Sequence, residues 1–486
     1  MDEPKSADDA PMNLDDIDIA SPDSYQRGVP HEQFALLRRE APVFRHREAN
    51  GPGFWALARH EDIVRVARDP DTFRQSPALF IEDLPAGNLR DSPDVMINMD
   101  PPRHARFRAL VSRGFTPRII RRLEDRVREV VTELIDAIAA RGRADFGREF
   151  ASELPMRIIL DLMGVPREEQ PAVLDFSLRF FGALDPEYQG APQDLDALLR
   201  DMEAVAHRLA GERRRDPKDD MLTQLVSAEV DGEKLSDSQI GGFFRLLLSA
   251  GHDTTKNLLC NGMQTLIENP AERRLLREDP RLIPSGVEEM LRFTPSVLYF
   301  RRNASRDTEI HGQQIVAGDK VVLQYVSGNR DEAVFPDPDR FDVRRTPNDH
   351  LSFGQGAHFC LGASLARLEA RVAFEEILRR LPDLELAGPV ARIRSNWILG
   401  FKSMPVGFTR RRSSASGVAA RRSAAAADAM RTAGLSGIWI PRAYRELESP
   451  FTAWLPGRRE QRGPQRSTSA VLRALTRPSV QRFWYG

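Results

Sequence analysis

Residues 353–362 constrain this chain more than any other segment, because they place three glycines and a cysteine directly before a helical pattern. They read Phe-Gly-Gln-Gly-Ala-His-Phe-Cys-Leu-Gly, and apolar residues recur at helical spacing over residues 361–381. Gly354 and Gly356 permit a tight, bulged loop, and Gly362 allows the backbone to lie close to a flat ligand. This segment therefore predicts a loop that presents its cysteine to a bound group.

The chain has two cysteines, Cys260 and Cys360, which are too few for a disulfide framework or a four-thiolate metal site within one chain. A lone cysteine is often an inert core residue. We interpret Cys260 in that way because no motif surrounds it. Cys360 differs, because the positive end of the following helix and its free N–H groups favour a thiolate at that position.

Apolar residues spaced at i, i+3 and i+4 dominate much of the chain and predict long helices. Over residues 297–325 the pattern changes to strand-like alternation, with Gly312 and Gly318 as turns, and a Pro-rich coil follows at residues 335–338. The order of these patterns predicts a mainly α fold with a minor β part. Helices are expected at residues 31–40, 62–68, 118–140, 195–214, 236–268 and 361–381, and an extended segment at residues 54–58.

The loop at residues 353–362 resembles the haem-binding signature of the cytochrome P450 family, Phe-Gly-x-Gly-x-His-x-Cys-x-Gly, at every fixed position. The resemblance implies a haem b whose iron is bound by Cys360, a thiolate ligand of the kind that favours O–O cleavage. The resemblance also implies that Phe353, Gly354, His358 and Gly362 are further cofactor-binding residues of this loop. The resemblance runs from about residue 30 to residue 408, so it implies one P450-type haem domain over residues 31–409. From the length alone, two or three domains would be the usual expectation.

The centre of the helical pattern at residues 236–268 reads Ala-Gly-His-Asp-Thr-Thr over residues 250–255. On propensity alone it is an ordinary helix interior made of poor helix formers. Gly251 beside two threonines also favours a local widening of the helix, with a backbone groove for dioxygen and water. The resemblance implies a catalytic acid and alcohol that deliver protons during oxygen activation, and this pair maps onto Asp253 and Thr254.

Two carboxylates of a buried haem require cationic or donor partners. His104 and Arg108 lie four residues apart after a proline-marked helix start. They are compatible with a solvated basic helix face. By resemblance they form a clamp for the haem propionates together with Arg302 and His358.

Glu289 and Arg292 lie three residues apart on one helical pattern, a spacing that is common for surface ion pairs. The resemblance implies instead a buried structural lock, completed by an arginine from the Pro-rich coil. Arg340 is the predicted partner.

The predicted substrate pocket draws on separate apolar segments, which are equally compatible with the protein core. We expect its roof to include residues 79–84 and 246–250, with a loop at residues 297–298 and a turn at residues 397–399. The individual candidates are Leu246, Ala250, Val297, Leu298, Trp397 and Ile398. Three segments, residues 112–120, 345–367 and 394–408, look like the actinobacterial branch of the family that oxidises methyl-branched lipids and sterol side chains.

The predicted function is therefore an O₂-dependent monooxygenase that hydroxylates a lipophilic molecule, such as a sterol side chain, a branched lipid or a terpenoid. The haem would carry the chemistry while the protein positions the substrate. Because the chain contains no flavin or iron–sulfur motif, we expect a ferredoxin and its reductase as electron donors. The alternatives are a peroxide-driven peroxygenase and a non-catalytic haem-thiolate sensor.

Charge and composition bear on the remaining questions of nucleic-acid binding, location and the two ends of the sequence. The net charge of −1 does not favour a nucleic-acid role. The absence of a long apolar run or a signal-peptide core predicts a cytoplasmic protein with no membrane span. Residues 1–30 form a polar lead-in. Residues 411–486 hold 14 Arg or Lys against 4 Asp or Glu, so residues 410–486 are expected to form a largely disordered extension or, alternatively, an anchor for an anionic surface.

Overall fold

The computed structural model describes residues 12–26, 28–48, 50–83, 92–170, 173, 195–230 and 232–410. The predicted C-terminal extension lies outside the described residues from position 411 onward, and its predicted disorder stays a prediction.

Helices make up most of the described chain, as predicted. The pattern at residues 31–40 forms a helix with those bounds, while the one predicted at residues 62–68 begins two residues earlier. The helices are α1 His31–Glu40, α2 His60–Ala67, α3 Arg103–Ser112, α4 Pro117–Arg122, α5 Glu124–Ala139, α6 Glu153–Met163, α7 Leu195–Arg215, α8 Met221–Ser227, α9 Asp237–Glu268, α10 Pro270–Glu278, α11 Ile283–Phe293, α12 Tyr325–Gly328 and α13 Ala363–Arg380.

The helix predicted at residues 118–140 is divided at Leu123 into α4 and α5. The Leu123 N–H donates to the Ile120 carbonyl three residues back, which closes a tight turn. Glu124 and Asp125 then occupy the first turn of α5, where negative side chains stabilise a helix N-terminus. The structure therefore corrects one long helix to two.

The longest of the described helices is α9, and many of its side chains are buried. Ser236 and Gln239 cap its start reciprocally, each side chain accepting from the other's backbone N–H. The helix packs against α6, α7, α11 and α13, and buried side chains occur around much of its circumference. Its position as a core helix fixes the geometry of residues 250–255.

The predicted β-type region at residues 297–325 forms four strands of a minor β part. The described strands are β1 Val43–His46, β2 Phe54–Leu57, β3 Phe73–Arg74, β4 Arg143–Asp145, β5 Glu229–Val230, β6 Glu233–Lys234, β7 Tyr299–Ala304, β8 Thr308–Ile310, β9 Gln313–Ile315, β10 Lys320–Gln324, β11 Glu385–Leu386, β12 Ala391–Arg392, β13 Phe401–Ser403 and β14 Pro405–Gly407. The largest sheet that they form has five strands in the order β1-β2-β10-β7-β3, in which only the β2–β10 pair is parallel. A three-stranded sheet has the order β11-β14-β4, and three two-stranded ladders join β5 to β6, β8 to β9, and β12 to β13.

Part of the predicted polar lead-in packs on the core. Ile19 and Tyr25 are buried in the same apolar cluster as Phe34 and Leu298. The Tyr25 hydroxyl donates to the Ile19 carbonyl at 3.1 Å, which fixes this turn against the cluster. The packed part of the chain therefore begins before residue 31.

None of the described helices is long and apolar enough to cross a membrane.

Candidate active site

The loop at residues 353–362 is tight and bulged, as its glycines predict. Gly354 and Gly356 have φ values of +68° and +70°, which side chains with a Cβ rarely adopt. A Cβ at Gly356 would also lie 2.1 Å from the Ala67 carbonyl oxygen. The Cys360 N–H donates to the Phe353 carbonyl at 2.8 Å and closes the loop, so the cysteine is presented immediately before α13.

Cys360 lies deep among protein atoms, yet its surface is open to a cavity. Burial raises the pKa of its thiol, and this effect outweighs the backbone N–H groups of Gly362 and Ala363, which lower it together with nearby arginines. The thiolate predicted from the helix N-terminus therefore requires a further positive charge in the cavity. A metal cation bound at the sulfur supplies such a charge.

Cys260 is fully buried in the core cluster behind this loop. Burial raises the pKa of its thiol to about 12, so it stays neutral. The interpretation of Cys260 as a core residue is confirmed.

The cavity lies between the Cys360 loop and α9. It comprises about 1450 Å³ of empty space, part of it continuous with solvent. Apolar residues from α9 and from neighbouring segments line much of it: Met96, Ile97, Leu246, Leu247, Ala250, Leu258, Leu291, Val297 and Phe300. A flat group bound by Cys360 would thus have an apolar wall on the α9 side.

The four predicted clamp residues converge on this cavity. His104, Arg108, Arg302 and His358 all line it, and the rings of His104 and His358 have centroids 4.0 Å apart. Burial, followed by the adjacent arginines, lowers the pKa of His104 to about 4 and that of His358 to about 2. The imidazoles are therefore neutral, and the positive charge of this cluster resides on the arginines.

The arginines of this cluster have neutral hydrogen-bond acceptors. Arg302 donates to the Gln75 side-chain oxygen at 2.6 Å, and Arg108 donates to the Phe359 carbonyl at 2.5 Å. The carboxylate of Asp100 lies close enough to act on Arg302, but it already accepts from the N–H groups of Gln75 and Ser76. Arg302 is buried and Arg108 is half-buried. Positive charge of this kind without a hydrogen-bonded carboxylate fits a ligand that brings its own carboxylates.

Thr254 and Asp253 occupy different sides of α9. Thr254 lines the cavity, and its hydroxyl donates to the Ala250 carbonyl at 2.6 Å. Asp253 is buried away from it, accepting from Lys256 at 3.1 Å and Asn257 at 3.0 Å. The helix is α-helical through Gly251, so the predicted local widening is not seen.

Glu289 and Arg292 form the expected buried lock, because both side chains are fully inaccessible to solvent and their bidentate contacts measure 2.8 Å. The predicted partner, Arg340, is wrong. Its side chain is 59% exposed and faces Asp342 at 3.9 Å, and only its carbonyl accepts from Arg292. Arg345 takes the position instead, with its Nε 3.1 Å from the Glu289 carboxylate.

The predicted substrate residues divide into two groups. Leu246, Ala250 and Val297 line the cavity. Leu298 is buried in an apolar cluster, and Ile398 is buried and pairs with Val297 through a backbone bridge. Trp397 packs on the rings of Phe80 and Phe300. None of these three residues lines the cavity. Leu298 points away from it because adjacent residues of an extended chain face opposite sides and Val297 faces the cavity.

The comparisons with known proteins agree with this geometry. The family model for cytochrome P450 matches residues 149–386. The methyl-branched lipid omega-hydroxylase of Mycobacterium tuberculosis (strain ATCC 25618 / H37Rv) is 40% identical over 404 residues, which cover 80% of this chain and 94% of the relative. The chain belongs to the cytochrome P450 family. It is thus a P450 monooxygenase with a haem cofactor.

Two other similar P450s extend the comparison. The steroid C26-monooxygenase of Rhodococcus jostii (strain RHA1) is 37% identical over 404 residues, covering 81% of this chain and 84% of the relative. The Mycobacterium marinum cytochrome P450 CYP268A2, solved in complex with pseudoionone, superposes with a TM-score of 0.77 at 38% identity, covering 82% of this chain and 99% of that one. The single P450 fold predicted from the sequence is confirmed.

The residues of this P450 fit a haem on chemical grounds. Cys360 offers a sulfur ligand whose thiolate needs a cation, and the basic cluster lacks a carboxylate that the haem carries. When bound, the haem supplies O₂ activation and electron transfer. Two polar cavity residues, Gln75 and Tyr325, were missed by sequence reasoning, since neither belongs to a motif and both come to the cavity through the sheet.

Proposed function

We propose that this P450 hydroxylates a branched lipid, a sterol side chain or a terpenoid, using O₂ and electrons from a separate ferredoxin and reductase. The observation that carries the proposal is the apolar wall of the cavity on α9 and the segments beside it. Met96, Ile97, Leu246, Leu247 and Val297 contribute aliphatic surface there. Apolar surface of this kind gains free energy by burying a lipophilic ligand.

The names of the relatives support the substrate class. One relative is named for methyl-branched lipids, another for steroids, and a solved neighbour holds pseudoionone. These ligands share a largely apolar, branched carbon chain. A chain of this type would lie along the α9 wall with one end towards the Cys360 loop.

Thr254 is the proposed proton donor at the cavity. It lines the cavity, and its hydroxyl donates to the Ala250 carbonyl at 2.6 Å, while its backbone carbonyl accepts from the Ser296 hydroxyl at 2.8 Å. With a haem held by Cys360, this hydroxyl could turn from the Ala250 carbonyl and pass a proton into the cavity. Ser296 therefore positions the Thr254 backbone.

Asp253 is the proposed relay that takes up a proton and passes it to Thr254, and in this structure both of its oxygens accept hydrogen bonds. Lys256 and Asn257 hold them from the next turn of the same helix. Delivery to Thr254 therefore requires the Asp253 side chain to turn away from Lys256. This movement would couple proton delivery to a rearrangement of a buried ion pair.

The test uses the haem-loaded protein with a surrogate ferredoxin and reductase. Its probes are a methyl-branched fatty acid, a sterol with an intact side chain, and a branched terpenoid ketone. We expect at least one probe to shift the Soret band and to gain one labelled oxygen atom from ¹⁸O₂. A linear fatty acid of equal carbon number is the matched control for branching.

Three results would contradict the proposal. Absence of product with every probe would refute the substrate class. Product formed with hydrogen peroxide but not with O₂ and the electron donors would instead favour a peroxygenase. Binding of probes without any turnover would favour a sensor.

A further inference from the structure

Tyr325 occupies an unusual place at the basic cluster of the haem site. It follows β10 directly and begins α12, its side chain is 2% exposed, and it lines the cavity. Its ring packs edge-on against the ring of Phe300, with 6.1 Å between the ring centroids. The ring is thus held by apolar packing while the hydroxyl reaches the cavity.

The surroundings of this hydroxyl define what it can bind. A Cβ built on Gly354 would lie 3.4 Å from the Tyr325 oxygen, which places the hydroxyl beside the Cys360 loop. The Arg302 guanidinium also lies within hydrogen-bonding reach of this hydroxyl. A guanidinium has only donors, so the tyrosine oxygen must accept from it. The tyrosine proton then remains available, and within the described chain we find no acceptor for it.

Gln75 keeps Arg302 beside this hydroxyl. Its side-chain oxygen accepts from Arg302 at 2.6 Å, while its amide donates to the Arg301 carbonyl at 3.3 Å. Its backbone N–H donates to Asp100 at 2.7 Å. These contacts join β7, the segment after β3 and the residues just before α3, so they hold Gln75 in place and, through it, the Arg302 guanidinium.

We propose that Tyr325 is a further haem-binding residue, whose hydroxyl donates to a haem propionate while Arg302 and Gln75 hold it in orientation. The acceptor is a carboxylate, the chemical group that the basic cluster lacks. Gln75 acts through Arg302 and is a positioning residue. The inference rests on the haem cofactor and not on the proposed substrate. A negative result for the substrate would therefore not contradict the role of Tyr325, and a negative result for Tyr325 would not contradict the substrate.

The experiment compares Tyr325→Phe with Tyr299→Phe in the haem-loaded protein. Tyr299 is also buried, on the adjoining strand, and its hydroxyl instead accepts from the Ile81 N–H at 3.4 Å. We expect Tyr325→Phe to speed haem transfer to apomyoglobin roughly tenfold, which is typical of one lost hydrogen bond to a charged group. Resonance Raman modes of the propionates should shift in the same variant. Tyr299→Phe should change neither.

Reconstitution with haem dimethyl ester distinguishes a hydrogen bond from Tyr325 to a propionate from packing of the Tyr325 ring. Esterified propionates cannot serve as charged acceptors, so the difference between wild-type and Tyr325→Phe transfer rates should shrink to about twofold or less. A tenfold difference that persists with the ester would show that Tyr325 acts through packing. Equal rates and equal propionate modes for both proteins with natural haem would also overturn the proposal.

A milder variant covers the case in which Tyr325→Phe fails to take up haem. Gln75→Leu leaves the tyrosine in place and removes the acceptor that holds Arg302. It should produce a smaller acceleration of haem transfer, of the order of threefold, together with a Raman shift in the same direction. Unchanged propionate modes in Gln75→Leu would contradict the positioning role.

Discussion

Arg345→Met is the most informative perturbation of the fold, because the sequence favoured Arg340 and the structure places Arg345 in the lock. The Arg345 Nε lies 3.1 Å from Glu289. Its terminal nitrogens donate to the carbonyls of Pro336, Asp337 and Arg340 at 2.7, 3.1 and 3.0 Å. The Arg345 side chain therefore pairs with the buried Glu289 carboxylate and also hydrogen-bonds to three carbonyls in and beside the Pro-rich coil.

The magnitude follows from what the substitution leaves behind. Removing one partner of a buried ion pair costs about 3–5 kcal/mol. Glu289 keeps its bidentate contact with Arg292 and accepts from the Asp342 N–H and the Asn348 amide. The lower end of that range, about 3 kcal/mol, is the expected loss. For Arg340→Met we expect about 0–1 kcal/mol, since its exposed pair with Asp342 is weak.

The assay is urea unfolding of both variants, followed by the haem Soret band and by far-ultraviolet circular dichroism. The shift in midpoint at unchanged slope gives the change in unfolding free energy. Arg345→Lys keeps the charge but cannot form the fork, so it should recover only part of the loss. If Arg345→Met and Arg340→Met agree within about 1 kcal/mol, or if Arg340→Met is the more damaging, the reassignment is refuted.

Three further predictions follow from the site. Cys360→Ser should abolish the thiolate type of Soret band in the reduced carbon monoxide complex. If Cys260→Ser abolishes this band and Cys360→Ser does not, the ligand assignment is refuted. Thr254→Ala should keep haem and substrate binding but divert electrons to hydrogen peroxide, so unchanged product per electron would remove Thr254 from the mechanism. Truncation after residue 412 should leave melting temperature and turnover unchanged at moderate salt, because every described helix and strand ends by residue 407 and exposed charge pairs contribute at most about 1 kcal/mol each. A lower melting temperature with haem loss would show that the extension stabilises the domain.

The sequence by itself determined the features that depend on neighbours along the chain. The glycines around Cys360 permit the left-handed backbone of a tight loop, a conformation that residues with a Cβ rarely adopt. The capping box at Ser236 likewise sets the start of α9. The family signature therefore predicted the cofactor, its sulfur ligand and the mainly α fold.

Only the tertiary structure decided which side chains meet across distant segments. Arg340 and Arg345 lie in the same coil and have the same chemistry, and the path of that coil past Glu289 selects Arg345. Leu298 and Val297 are equally apolar, but the extended backbone turns one to the core and the other to the cavity. Tyr325 lines the cavity because it follows β10, whose last residue, Gln324, pairs with Tyr299 of β7, the strand that also carries Arg302. Such choices depend on strand register and coil geometry, which are set by the packing of the whole chain and leave no periodic mark in the sequence.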